Sequence, residues 1–236
     1  KIPIVQDAAH SFGATYGEKP ISEFADFTCL SFQAIKHLST GDGGALICQD
    51  ETRYLLAKKL KWFGYDREAV KDEKGEWKGQ RWSADIKHNE VGYKFNMNNI
   101  SAAIGLAQMP HMDGLLQRHR MNAAVYREQF RDSQHIRLLK VPAEANSSYW
   151  VFTCLYAGGV GARDLLMEKL NAEGIAAGLV HLPNDGYSAF SGIDNNLPGT
   201  KVFSESQISL PCGWWISEED SKFIAERVKT IASQLN

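Results

Sequence analysis

The chain opens with short apolar runs that stop at polar or small residues. Ile4 and Val5 lead into Asp7-Ala8-Ala9-His10. Phe27 to Leu30 lead into Ser31-Phe32-Gln33-Ala34-Ile35-Lys36. After Gly41-Asp42-Gly43-Gly44 comes a third run, Ala45-Leu46-Ile47-Cys48. β-favouring runs of this length between turn residues predict buried strands. The period then changes. Over residues 50–64, Leu55, Leu56, Leu60 and Phe63 mark one face of a helix, with Asp50 as its cap and Gly64 as its stop. Residues 65–90 lose all periodicity and read as a long polar excursion, a loop or flap in which Trp77 and Trp82 should find a surface to cover.

Helical spacing returns at residue 98. Asn98 or Asn99 can cap a helix whose Ala102, Ala103, Gly105 and Ala107 permit close packing. Residues 110–134 continue as a helix with Met112, Leu115, Leu116, Met121, Val125, Tyr126 and Phe130 on its apolar side, and His111 and His119 are expected on the surface. Beyond residue 136 the pattern predicts one α+β unit. Its strands are Ser148 to Tyr156 and Ile175 to His181, with a helix between them from Ala162 to Glu173 that Gly174 closes. Residues 184–200 read as loop, and Phe203 to Leu210 lead to Pro211. A last helix is capped by Ser217 and carries Phe223, Ile224, Val228, Ile231 and Leu235 on its apolar face. The expected division is a first domain over 1–115, a bridging helix over 116–135 and a small domain over 136–236.

Composition narrows the class. The 236 residues are 44% hydrophobic and 23% charged, ordinary for a soluble globular chain. A net charge of −2 without a basic run argues against a nucleic-acid surface. No apolar stretch is long enough to span a membrane. Cys29, Cys48, Cys154 and Cys212 lack metal or redox spacing and read as free thiols of a reducing cytoplasm. No metal site is expected.

The chemistry lies in the first stretch. Asp7 and Lys36 would stand just past the ends of strands, where open α/β sheets place ligand sites. A lysine among apolar neighbours, here Ile35 and Leu38, has its charged form disfavoured and can attack a carbonyl to form a Schiff base. A buried carboxylate such as Asp7 needs a partner, and the pyridinium nitrogen of pyridoxal phosphate (PLP) supplies one. Ser31 and the Gly-rich turn can offer donors to a phosphate. Each residue alone has a plainer reading: a solvated lysine, a capping aspartate, a tight turn.

Together, D-A-A-H, S-F-x-x-x-K and G-D-G-G closely resemble the DegT/StrS family of PLP-dependent nucleotide-sugar aminotransferases. The stretch 91–109, VGYKFNMNNISAAIGLAQM, resembles that family's interface loop and following helix. Asp42 stands where many relatives have Glu. The resemblance implies an aspartate aminotransferase-like large domain of PLP fold type I, α/β with a mainly parallel sheet and incomplete at its N-terminus, followed by an α+β small domain. It makes Lys36 the catalytic Schiff-base lysine. Asp7 would pair with the ring nitrogen, His10 would lie near the phenolic oxygen, and Ser31 would bind the phosphate. Lys94 would reach the phosphate of a partner subunit in a homodimer with shared sites, and His181 would lie near the substrate. The reaction implied is amino transfer from an amino acid donor, glutamate, to a nucleotide-linked keto-sugar or keto-sugar acid, in amino-sugar and surface polysaccharide biosynthesis. Some relatives carry His in place of the lysine and act as dehydratases; here the lysine is present. A dehydratase, a regulatory relative and a non-catalytic partner module remain the alternatives. Relatives also carry a long segment before the position of Lys1, so a fragment, a split protein or an incomplete sequence is expected.

Overall fold

A computed structural model describes residues 2–67, 69, 71–76, 86–87, 89–191 and 196–235. Trp77 and Trp82, expected to cover a surface, lie outside the described residues. The chain divides into two compact units, Lys1–Pro110 and His111–Asn236.

The first unit is built on a three-stranded sheet. Strand β1 (Val5–Asp7) is followed by a small hairpin, β2 (Thr15–Tyr16) and β3 (Lys19–Pro20), and a 3-10 turn. Then come β4 (Phe27–Ser31) and β5 (Gly44–Cys48), and the sheet order is β1-β4-β5. β1 runs parallel to β4 with Asp7 opposite Cys29, while β4 and β5 are antiparallel. The sheet is therefore mixed rather than mainly parallel. The connection from β4 to β5, residues 32–43, holds no crossover helix, and the chain returns antiparallel.

Helix α1 (Glu51–Leu60) starts where expected, with the Asp50 carboxylate accepting from the Arg53 amide at 2.8 Å. It ends before Gly64, and it has no buried residue: Leu55 and Leu56 stay 47% and 41% exposed. Helix α2 (Asn99–Gln108) is capped by Asn98, whose side chain accepts from the Ser101 amide at 2.9 Å. Val5, Tyr93, Phe95, Ile100 and Leu106 are also largely exposed. The fully buried apolar residues of this unit are small in number, Ala8, Ala25 and Leu38 among the described residues. Exposed apolar side chains in this number leave the unit open to further contacts.

The second unit holds the larger core. Helix α3 (Met112–Gln129) packs on the last helix, α6 (Glu218–Gln234). Expected as a bridge between domains, α3 belongs to the second unit because Leu116, Ala123 and Tyr126 are buried within it. The strands are β6 (Ile136–Leu138), the two-residue β7 (Ala145–Asn146), β8 (Phe152–Tyr156) and β9 (Gln207–Leu210), with β6-β8-β9 forming an antiparallel sheet. Helices α4 (Gly159–Ala172) and α5 (Pro198–Ser206) pack on each other. The core joins Tyr126, Phe130, Phe152, Leu166, Leu170, Ile208, Val228 and Ile231.

Several expectations change here. Residues 175–181 form no strand; their backbone pairs with β9 only at an isolated Gly178–Ser209 bridge. Helix α5 begins on ground read as loop, with Pro198 at its first position, where a missing N–H costs nothing. Phe223 is 52% exposed, and Ala225 and Ala232 fill the buried face of α6 instead. The Ser217 cap forms as expected, strengthened by a reciprocal capping box with Asp220.

His119 is buried, not on the surface, with Nδ1 2.8 Å from the Tyr149 carbonyl oxygen. Burial pushes its pKa below that of free histidine, and the carbonyl contact opposes this in part. The Cys154 and Cys212 thiols are pushed up to about 12 by burial, so they stay protonated and inert.

Asn122, buried on α3, donates its side-chain amide to the carbonyls of Gly213 at 2.9 Å and Ile216 at 3.1 Å. It pins the 212–216 loop. Asn122→Ala leaves those carbonyls unmet and is expected to destabilise the chain by about 1–3 kcal/mol. Urea denaturation measures this; an unchanged midpoint would show that the loop does not depend on Asn122.

Candidate active site

Parallel pairing of β1 with β4 brings two chain turns side by side. Asp7 ends β1. Its carboxylate accepts from the Ala9 amide at 3.0 Å, which closes an Asx turn and directs the chain toward His10. The Ala8 amide donates to the Cys29 carbonyl at 2.8 Å, extending the pairing by one residue beyond Asp7. His10 sits half-buried in the turn that follows.

Ser31 ends β4. Its hydroxyl accepts from the Gln33 amide at 3.4 Å, a long contact that leaves capacity for a stronger donor or acceptor. The Gln33 side chain accepts from the Ile35 amide at 3.2 Å, and the Lys36 amide donates to the Gln33 carbonyl at 2.9 Å. These bonds coil the chain so that Lys36 lies just beyond the strand end.

Burial lowers the Lys36 pKa below that of an ordinary lysine, and the Asp7 carboxylate acts in the opposite direction. The two groups therefore lie within electrostatic reach of each other. The desolvation does not come from both expected neighbours: Leu38 is buried, but Ile35 is 60% exposed, and the buried His37 stands on the other side of Lys36. Asp7 is itself exposed, not buried as expected, because β1 is an edge strand with no neighbour on its outer side.

A set of contacts not assigned from sequence holds the lysine turn. The Phe32 amide donates to the Gly43 carbonyl and the Thr40 amide to the Phe32 carbonyl, both at 2.8 Å. Gly43 has φ +150°, and a Cβ there would lie 2.6 Å from the Met97 methyl. A Cβ on Gly44 would lie 2.5 Å from the Leu30 carbonyl oxygen. The Gly-Gly pair is thus required for the turn to close on β4. Gln108 of α2 clamps the turn from outside. Its Oε1 accepts from the Ser39 amide at 3.2 Å, and its Nε2 donates to the Ser39 carbonyl. Gly105 lets α2 approach: a Cβ there would meet the Thr40 methyl at 2.9 Å. Phe12 and Phe32 meet edge to face at 6.3 Å, joining the Asp7 turn to the Lys36 turn. The terminal Gln of the SAAIGLAQ stretch was the available signal for the clamp.

The surroundings of two other candidates are as follows. Lys94 places its ammonium over the Trp62 ring at 4.5 Å and donates to Asn96 Oδ1 at 3.0 Å, beside the C-terminal end of α1. His181 belongs to the second unit, where its carbonyl accepts from the buried Gln207 side chain at 2.8 Å. Among the described residues no cluster of three or more His, Cys, Asp or Glu side chains could hold a metal ion, and no helix is long and apolar enough to cross a membrane.

Residues 1–229 match the DegT/DnrJ/EryC1/StrS aminotransferase family. The chain belongs to this family. It is 24% identical over 99% of its length to a UDP-4-amino-4,6-dideoxy-N-acetyl-beta-L-altrosamine transaminase of Campylobacter jejuni and covers 60% of that protein. It is 30% identical, over 89% of its length, to a UDP-4-amino-4-deoxy-L-arabinose–oxoglutarate aminotransferase of Shewanella sediminis, of which it covers 56%. Among solved structures, a Streptococcus pneumoniae protein described as a sugar aminotransferase, in its PLP form, superposes with a TM-score of 0.87 at 30% identity. That match covers all of this chain and 59% of the other. The fold is thus that of the PLP-dependent sugar aminotransferases, and the chain spans about 60% of the length of the relatives it matches.

The Asp7–Lys36 pair gives a test of the geometry. Burial favours the neutral amine, so Lys36 should lose its proton at a lower pH than free lysine. Removing the carboxylate removes the influence that favours the ammonium. Asp7→Asn is therefore expected to move Lys36 titration to still lower pH. The pH dependence of Lys36 labelling by an amine-directed reagent, read by mass spectrometry, reports this. A shift to higher pH in the variant would show that the two groups do not interact.

Proposed function

We propose that this chain carries the lysine centre of a PLP-dependent aminotransferase acting on a nucleotide-linked keto-sugar, with glutamate as amino donor. The observation that carries the reading is a desolvated Lys36 amine within electrostatic reach of the Asp7 carboxylate, at the ends of two neighbouring parallel strands. The residues fit the cofactor. An amine with a lowered pKa suits a carbonyl partner, a carboxylate on an open strand end suits a cationic ring nitrogen, and a weakly engaged Ser31 hydroxyl suits a phosphate oxygen. The relatives' names supply the substrate class, and the oxoglutarate in one of them supports glutamate as donor.

When bound, PLP supplies an electron sink that makes the donor's Cα–H bond acidic. The chain's own groups do the rest. Lys36 Nζ would hold the cofactor, and would take the proton from the donor's α-carbon and return it as a general acid. A lowered pKa favours both roles. Asp7 keeps a proton on the ring nitrogen. Ser31 would hold the phosphate, and His10 would meet the ring oxygen. Gln108, through Ser39, keeps the Lys36 turn from drifting; a misplacement of about 1 Å can cost about a hundred-fold in rate.

Two copies of the chain complete the assembly as a homodimer, each Lys94 serving the partner's phosphate and each His181 serving the sugar. The largely exposed Ile100 and Leu106 of α2, next to the Lys94 loop, support a self-associating face. The setting is the cytoplasm, where nucleotide sugars are made and consumed.

The test uses covalent trapping. The chain is incubated with PLP, reduced with borohydride and mapped by peptide mass. The adduct is expected on Lys36 and absent from Lys36→Ala; an adduct on Lys94 or Lys58 would overturn the site. Adding glutamate before reduction should convert the cofactor to its amine form and abolish trapping. Persistence of trapping would instead point to a dehydratase or a regulatory relative.

A further inference from the structure

The segment that carries Lys94 is fastened along the end of α1. The Tyr93 amide donates to the Leu60 carbonyl and the Phe95 amide to the Lys61 carbonyl, both at 2.9 Å. The Phe63 amide returns a bond to the Tyr93 carbonyl at 3.1 Å. Carbonyls at the C-terminal end of a helix find no partner within it, and here the 92–95 segment supplies donors. Gly92 permits the approach, since a Cβ there would lie 2.1 Å from the Leu60 carbonyl oxygen. Trp62 and Lys94 face each other as an isolated antiparallel bridge.

Residues opposite each other in such a pairing send their side chains to the same side. Tyr93 and Phe95, on either side of Lys94, stack with ring centroids 5.3 Å apart. The Lys94 ammonium lies 4.5 Å from the centre of the Trp62 ring. A second contact fixes it laterally: it donates to Asn96 Oδ1 at 3.0 Å. Asn96 Nδ2 donates in turn to the Met97 carbonyl at 3.3 Å, which sets the end of the amide that meets the lysine. A ring and an amide oxygen carry no formal charge, so these two contacts orient the ammonium without cancelling it. A lysine loses much rotamer freedom when it is ordered, and here the ordering precedes any ligand. The Arg67 guanidinium lies 4.6 Å from the same ring, so its effect has to be separated from that of Lys94.

We propose that Trp62 is a positioning residue for Lys94, its ring holding the ammonium ready for the phosphate of PLP on the partner copy. The phosphate role of Lys94 rests on the reading above; the hold of Trp62 on Lys94 rests on the bridge and the ring contact alone.

Two measurements on the full chain test this. The first reads the contact by NMR with ¹³C-labelled lysine. The Lys94 ε-methylene resonance, assigned from its loss in Lys94→Arg, is expected upfield of an ordinary exposed lysine because it sits over an aromatic face. Trp62→Leu should return it to the ordinary position, and Arg67→Gln should not. An unshifted Lys94 resonance in the unchanged chain, or a shift that Arg67→Gln removes and Trp62→Leu does not, would overturn the proposal.

The second reads the phosphate. The PLP concentration for half-maximal borohydride trapping at Lys36 is compared with that for pyridoxal, which lacks the phosphate. Loss of an exposed cation–π contact corresponds to about a two- to five-fold change. Trp62→Leu is therefore expected to raise the PLP value about two- to five-fold. Trp62→Phe, which keeps a ring, should raise it less, and the pyridoxal value should not move. On a Lys94→Gln background Trp62→Leu should add nothing, because the ring has no ammonium left to hold. Equal losses with and without Lys94, or equal losses for PLP and pyridoxal, would mark a merely structural role and overturn the proposal. If thermal unfolding shows that Trp62→Leu does not fold, the resonance of the unchanged chain and the Trp62→Phe titration decide. Trapping at Lys36 that ignores both Trp62 and Lys94 sinks this proposal and leaves the aminotransferase reading standing. A ring-shifted Lys94 without trapping at Lys36 sinks the aminotransferase reading and leaves the hold of Trp62 on Lys94 standing.

Discussion

The amine of Lys36 and the carboxylate of Asp7 can influence each other only because β1 and β4 run parallel and in register. Parallel neighbours end on the same edge of the sheet, so the residues that leave them emerge together. In an antiparallel pair the two would lie at opposite ends. The rest of the first unit serves this juxtaposition. Gly43 and Gly44 let the turn fold tightly back on β4, and Gln108 fixes its outer side. The Phe12–Phe32 contact ties the two turns together.

That arrangement has an energetic cost. Desolvation disfavours the lysine's charge, and no burial of large side chains in the first unit offsets it: its fully buried apolar residues are Ala8, Ala25 and Leu38 among those described. The second unit has the reverse character, with aromatic and aliphatic side chains packed to near-zero exposure around Tyr126, Phe152 and Leu166. The difference is one of chemistry against scaffold. The unit with the reactive groups keeps apolar surface open, on α1, on α2 and along the 91–95 segment, and that surface calls for further contacts. Its hydrogen-bonded turns, rather than a dense core, hold the reactive groups in place.

Much of this was legible in the sequence because it depends on local signals. Strand ends before Asp7 and Lys36 follow from apolar runs and turn residues, and the caps at Asp50, Asn98 and Ser217 follow from side chains that can reach a backbone amide. The family follows from motifs whose spacing is fixed by the turns. What escaped depends on partners distant in the chain. His119 looked like a surface histidine because its carbonyl partner, Tyr149, lies thirty residues on. The burial expected for Asp7 and for the α1 face required neighbours that the described residues do not place against them. Ile175 to His181 has strand-like composition but makes only one bridge, and α5 lacks a side-chain cap that would have announced it. Gln108 was visible as a motif letter, yet its clamp on Ser39 could be seen only in three dimensions.

The most direct test of the central claim is the protonation state of the ring nitrogen of PLP bound to this chain. Nitrogen NMR of ¹⁵N-labelled PLP on the full chain at neutral pH reads it without reference to turnover. The expected result is a pyridinium signal, held by Asp7 beside the Lys36 amine. An unprotonated ring nitrogen at neutral pH would contradict the assignment of Asp7 and, with it, the account of how this sheet edge makes an amine reactive.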